Sequence, residues 1–245
     1  MDKPQTWYLQ HNPEVPRGVI LVGDMRRLDL FAENLKNPRF SVGSHGMTLL
    51  TGQYKGIPLG VLAHGMGAPA AAVAIEELHT LGAEVVIRAG TTMTIACPLG
   101  SLVLAEGGVR LEGTSIAYLP IEFPAIPDYQ LLTAFASGLS SRGVPYRVGL
   151  IASMDGLHPN RLREGKLDVM LLRKAGVVGL DMETAAVYAV CRYLQLKAVS
   201  LCLATVKFDS FEVLGEKERR ALEKLLVEAT LEGVREFFEK YPAIG

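Results

Sequence analysis

The chain has 245 residues, with 25 Lys and Arg set against 26 Asp and Glu and a formal net charge of −1. Such a balance excludes a general attraction to nucleic acid or anionic lipid, so any anion must be held by a local cluster. At 49% hydrophobic and 21% charged residues, the composition is that of a globular protein able to bury a substantial core. The N-terminus lacks a basic-plus-apolar leader pattern, and the apolar runs are short and broken by charge. No secretory leader and no bilayer-spanning helix is therefore expected, and a cytoplasmic location is. Cys97, Cys191 and Cys202 are odd in number and lack metal-ligand spacing. They read as small buried apolar residues, with no metal site expected.

Taken in chain order, Gly18 to Gly23 reads as a buried strand and Leu28 to Leu35 as a helix. Thr48 to Tyr54 and Leu59 to His64 form a strand pair turned at Lys55-Gly56. An alanine-rich helix covers Ala70 to Leu81, and strands cover Val85 to Arg88 and Leu102 to Ala105. The proline-rich piece from Leu119 to Asp128 reads as a surface excursion over a pocket. Then come a helix at Tyr129 to Ser141 and a strand at Arg147 to Ala152. Helices at Leu162 to Lys174 and Met182 to Leu194 flank a short strand, Val177 to Leu180, and a strand follows at Ala198 to Val206. From Glu216 to about Tyr241, apolar residues at Leu222, Leu225, Leu226, Leu231, Val234, Phe237 and Phe238 fit an amphipathic closing helix. Alternating strands and helices predict a single α/β domain, residues 1–245, with a mixed, mainly parallel sheet flanked by helices.

Three separated stretches place anion-handling or sugar-handling groups at the ends of apolar runs. Gly23-Asp24-Met25-Arg26-Arg27 follows the first strand, where a glycine corner and a helix N-terminus favour an anion. Arg27 lies in the first helical turn, and its planar guanidinium suits phosphate oxygens. Arg88-Ala89-Gly90-Thr91-Thr92 adds a second arginine, free amides and a hydroxyl. Arg88 read alone fits equally well as the partner of a buried carboxylate such as Glu77 or Asp24. Asp181-Met182-Glu183 supplies carboxylates suited to a diol, although Glu183 also fits as a charge at a helix N-terminus. Neither G-x-G-x-x-G nor G-x-x-x-x-G-K-[ST] occurs, which excludes the usual dinucleotide and Walker loops. His64 and His79 read as core or surface groups.

With Gly65-Met66-Gly67-Ala68-Pro69 added, four motifs resemble those of the nucleoside phosphorylases of the uridine phosphorylase and hexameric purine nucleoside phosphorylase group. The resemblance runs from about Tyr8 to the final helix and implies a sheet partly closed into a barrel. It implies a reaction in which inorganic phosphate, as co-substrate and without a cofactor, cleaves a ribonucleoside to free base and ribose 1-phosphate. By resemblance, Gly23, Arg27, His45, Arg88 and Thr91 hold phosphate. Met66, Thr91, Asp181, Met182, Glu183 and Tyr8 hold ribose, with Glu183 accepting from its 2′- and 3′-hydroxyls. Thr92, Arg161, Arg163, Thr205 and Val206 line the base site, and Arg88, Glu183 and Arg163 form the catalytic set. The resemblance also implies a homo-hexamer, a trimer of dimers, in which His45 and Tyr8 complete a neighbour's site.

The purine branch places an aspartate after the strand near residue 206, where this chain has Val206 and Lys207; Asp209 reaches that place only with a shift of about three residues. Ala117 to Ala125 and Val148 to Asp155 instead resemble the uridine branch, which points to uridine as substrate. Arg161 stands where that branch has glutamine, which both donates and accepts, whereas arginine only donates. His45 stands for an arginine, so phosphate affinity is expected to fall as pH rises past about 6.5. Met93 stands for a glycine and narrows the base pocket. The alternatives are a purine nucleoside or methylthioadenosine phosphorylase, a nucleosidase and a non-catalytic nucleoside-binding homologue. A hydrolase would leave Arg27 and Arg88 buried without a partner.

Overall fold

The computed structural model describes residues 6–9, 13–162, 164 and 167–242. Nine strands form one sheet: β1 (Gly18–Val22), β2 (Lys36–Val42), β3 (Thr48–Tyr54), β4 (Ile57–Ala63), β5 (Val85–Thr94), β6 (Leu102–Leu111), β7 (Tyr146–Met154), β8 (Val177–Asp181) and β9 (Lys197–Lys207). Their order is β2-β3-β4-β1-β5-β8-β7-β6-β9, and β9 also pairs with β5. Strands β5, β8, β7, β6 and β9 thereby close into a ring, and β1, β4, β3 and β2 extend from β5 as an open arm. The β1–β4, β1–β5, β5–β9, β6–β7 and β7–β8 pairs are parallel, as the alternation of elements predicts; the rest are antiparallel.

Helices α1 (Arg27–Ala32), α2 (Ala68–Thr80), α3 (Tyr129–Ser141), α4 (Pro159–Leu162), α5 (Val169–Lys174), α6 (Thr184–Tyr193) and α7 (Glu216–Lys240) complete the set. One core cluster joins Ile20, Val22 and Ile87 to Phe135, Leu231 and Phe237, so α3 and α7 cover that face. A second joins Val19, Leu21 and Leu62 to Ile75, Leu78, Val187 and Tyr188, the face of α2 and α6. The alternation along β1 feeds both faces, as expected for a strand buried on each side. Among the described residues, no helix is long and apolar enough to cross a membrane.

Several elements depart from expectation. The predicted helix from Leu162 to Lys174 is two short helices, because the Asp168 carboxylate accepts from the Leu171 N–H and starts α5 afresh. Strand β5 runs on to Thr94, six residues past Arg88, because it stays laddered to β9 through polar positions. Strand β2 escaped the pattern because it is an exposed edge without apolar alternation. Helix α6 starts at Thr184, leaving Glu183 at its boundary with φ −140°. The β3–β4 hairpin turns on Lys55 (φ 49°) and Gly56 (φ 87°), the two left-handed residues that a type I′ turn demands. The 119–128 excursion is held down by Arg110, whose guanidinium donates to the Leu119, Pro120 and Phe123 carbonyls.

Candidate active site

Parallel strands β4, β1, β5 and β9 bring their C-terminal halves side by side. Ligands of such sheets sit beyond those ends. Arg88 projects on the α2–α6 face, and its side chain folds back over Gly90. A Cβ at Gly90 would stand 2.0 Å from Arg88 Nη1. The folded-back guanidinium meets α6 at its start: Nη2 donates to Glu183 Oε2 at 2.5 Å and lies 3.2 Å from Asp181 Oδ2. Nη1 donates to Cys202 Sγ at 2.7 Å. Arg88 thus does pair with buried carboxylates, but with neither Glu77 nor Asp24. Glu77 accepts the Trp7, Tyr8 and Leu9 N–H groups, and Asp24 pairs with Arg26.

Glu183 Oε1 accepts the Gly67 N–H at 2.7 Å, so the Gly65-Met66-Gly67 corner and the sugar motif meet directly. Gly67 has φ 97°, open to glycine, and a Cβ there would lie 4.0 Å from Met182 Cε. Burial works against the charge on Glu183, but Arg88 and the Gly67 N–H outweigh it and hold the carboxyl below its usual range. In Asp181 burial wins, and its carboxyl is raised despite Arg88 and the hydroxyls of Ser153 and Thr184. Both Asp181 oxygens already take protein donors, from Ser153 Oγ and the Thr184 hydroxyl and N–H.

Arg27 is buried at the start of α1 and leans toward the same place. Its Nη1 reaches the Ala89 carbonyl at 3.5 Å, its Nη2 stands 3.6 Å from Glu223 Oε1, and its Nε has no partner among the described residues. Gly23 closes against the second corner, where a Cβ would stand 3.0 Å from the Gly65 carbonyl. His64, whose N–H donates to the Val22 carbonyl, is also buried, and its Nδ1 is without a partner among the described residues. Burial pushes its imidazole down to about 4; Glu183 opposes that shift and Arg88 adds to it. His64 is thus a core histidine, as expected, but one set among site residues.

The other expected residues fall in varied surroundings. Met66 is exposed and Thr91 half-buried. Thr92 turns its hydroxyl to the Leu180 carbonyl at 2.8 Å. Met93 pairs across the ring with Leu180 and Val206 and joins an apolar cluster with Ile95 and Leu180. Thr205 is buried and Val206 half-buried. Arg161 is exposed and ion-paired with Glu164, and Arg163 lies outside the described residues. Tyr8 and His45 share one patch, ring centroids 5.3 Å apart and edge-on, with His45 exposed. Asp209 is gripped by Arg173 at 2.6 and 2.8 Å. Sequence reasoning missed His64, Cys202 and the Gly67 N–H as members of the site. Their two-residue alternation with Leu62 and Ser200 was the available signal.

The chain is similar to known proteins over most of its length. Residues 17–232 match the sequence profile of the phosphorylase superfamily. The chain is 34% identical over 236 residues to the uridine phosphorylase of Thermococcus kodakarensis, covering 89% of this chain and 85% of that one. It is 29% identical over 232 residues to the guanosine phosphorylase of Halorubrum lacusprofundi, covering 91% and 95%. The crystal structure of a uridine phosphorylase from Vibrio fischeri, complexed with 6-hydroxy-1-naphthoic acid, superposes with a TM-score of 0.83 at 29% identity, covering 92% of this chain and 93% of that one. The chain belongs to the phosphorylase superfamily.

Proposed function

We propose that this protein is a nucleoside phosphorylase that cleaves uridine with inorganic phosphate to uracil and ribose 1-phosphate. The observation that carries the reading is the link of Arg88 and the Gly67 N–H to Glu183, from three distant parts of the chain, with Arg27 reaching the carbonyl of Ala89 next to Arg88. Two cations at a strand-end corner suit a phosphate dianion, and one ionised carboxylate suits the ribose diol. Phosphate held beneath the sugar attacks the anomeric carbon. A C–O bond forms as the C–N bond breaks, the electron pair leaves with the base as its anion, and the proton of the hydrogen phosphate ends on the base nitrogen. Glu183 holds the sugar as positive charge develops on it, and orientation of this kind is a main source of rate. Arg163 steadies the departing uracil by charge. No step of this scheme calls for a metal or cofactor.

The choice of pyrimidine rests on Asp209: its commitment to Arg173 leaves the base-site strands without the acid that a purine ring would need. We further propose a cytoplasmic homo-hexamer in which Tyr8 and His45 complete a neighbour's site. Their shared patch and the exposure of His45 support this reading. The test is a panel of nucleosides with and without phosphate, following free base. Uracil released only with phosphate supports the assignment. Adenine or hypoxanthine release, release without phosphate, or binding without turnover overturns it.

A further inference from the structure

The register of the sheet sets four residues in one row. Gly90 is paired with Cys202, and Arg88 with Leu21. Extending the Leu21–Arg88 register by two residues sets Gly23 beside Gly90, and extending the Val22–Ala63 pairing by one sets His64 beside Gly23. Side chains in register on parallel strands point to the same face. The row across that face is therefore His64, Gly23, Gly90, Cys202. The two glycines leave a floor without side chains. The Arg88 guanidinium lies over the Gly90 part of it, with 2.0 Å between Nη1 and the place a Gly90 Cβ would occupy.

Cys202 ends this floor and touches the guanidinium: Arg88 Nη1 donates to Sγ at 2.7 Å. Behind it, Sγ lies 3.4 Å from Ser200 Oγ, which is 3.1 Å from the Thr184 hydroxyl at the start of α6. A thiol is a small neutral acceptor. It fixes one arm of the guanidinium without adding charge, so the cation keeps its attraction for an incoming anion. A carboxylate at this place would compete with phosphate, as Glu183 does on the other arm. Burial keeps the Cys202 thiol protonated, and the residue is wholly enclosed, so its role is not that of a nucleophile.

We propose that Cys202 is a positioning residue that orients Arg88 for phosphate. The inference rests on the reading of Arg88 as a phosphate ligand. The experiment compares Cys202→Ala, Cys202→Ser and Arg88→Lys by initial rates, varying phosphate and nucleoside separately, with circular dichroism confirming the fold. In Cys202→Ala the phosphate KM rises about tenfold, as expected for loss of one hydrogen bond to a charged group. The nucleoside KM changes by less than about twofold, because Glu183 is still held by the Gly67 N–H. Cys202→Ser restores most of the phosphate affinity, because a hydroxyl also accepts. An unchanged phosphate KM in Cys202→Ala, an equal rise in both KM values, or a serine variant as impaired as alanine overturns the proposal. Arg88→Lys separates the two readings. If it leaves phosphate KM unmoved, the assignment of Arg88 fails; if it raises phosphate KM while Cys202→Ala does not, only the role of Cys202 fails.

Discussion

Arg88 and Glu183 are 95 residues apart in the chain and 2.5 Å apart in the fold, guanidinium Nη2 to carboxylate Oε2. These are the groups assigned to the two different substrates. Each occupies the other, so on the proposed reading phosphate and ribose both draw on a pair that is already made. The buried contact offsets the cost of enclosing two charges, and a lone Arg88 would be strongly unfavourable.

Replacing Glu183 tests this competition. Glu183→Gln keeps the shape and removes the charge, so phosphate alone should bind more tightly than to the parent protein in calorimetric titration. Turnover should drop by on the order of a hundredfold or more as ribose positioning is lost. Weaker phosphate binding together with near-normal turnover would contradict both roles of the carboxylate.

Gly90 and Gly108 should respond differently to alanine. A Cβ at Gly90 meets the mobile end of Arg88, whereas one at Gly108 meets the Ala185 backbone at 2.6 Å. Gly90→Ala is therefore expected to displace the guanidinium and cut kcat/KM by about a hundredfold, with a fall in Tm from the disturbed Arg88–Glu183 pair. Gly108→Ala should lower Tm, because a helix must shift bodily away from a strand. Thermal melts and kinetics on both variants check the contrast.

Acid stability should fall in two separable windows. His64 is neutral when folded, with its imidazole pushed down to about 4 by burial, so the unfolded chain takes up the extra proton. Its contribution is full above pH ~6.5 and is lost as pH falls toward 4, on the order of 3 kcal/mol in all. Glu232 stays charged when folded: burial opposes the charge, but Lys55, Tyr54 and Arg235 hold its carboxyl down to about 2. Its contribution is full above pH ~4.5 and is lost toward 2. Denaturant titrations against pH should show His64→Asn flattening the upper window and Glu232→Gln the lower.

Asp209 should be dispensable for chemistry. Its pairing with Arg173 holds its carboxyl below the usual range, unsuited to protonating a base. Asp209→Asn should keep uridine turnover within about twofold of the parent, as is typical of an exposed ion pair. A loss of a hundredfold would restore the purine-type reading.

Much of the site was legible in the sequence because its parts are local. The strand-end motifs Gly23 to Arg27, Arg88 to Thr92 and Asp181 to Glu183 are runs of a few residues whose proposed chemistry follows from type and order, whereas Gly65 to Pro69 was read only through the family resemblance. Periodicity likewise placed α3 at its observed bounds and α7 within a residue, because an amphipathic repeat needs only the chain itself. The break between α4 and α5 and the length of β5 were not legible, because a side-chain cap and a laddered partner overrode local propensity.

The amino-acid order alone determined an α/β chain carrying two arginines and a sugar-type carboxylate at the ends of apolar runs. Tertiary structure decided who touches whom. Arg88 meets Glu183, Asp181 and Cys202, and not Glu77 or Asp24, because β5 is in register with β9 and the start of α6 lies over Gly90. Strand register is a long-range choice, and moving it by one residue would turn Arg88 to the opposite face; no local pattern contains that information.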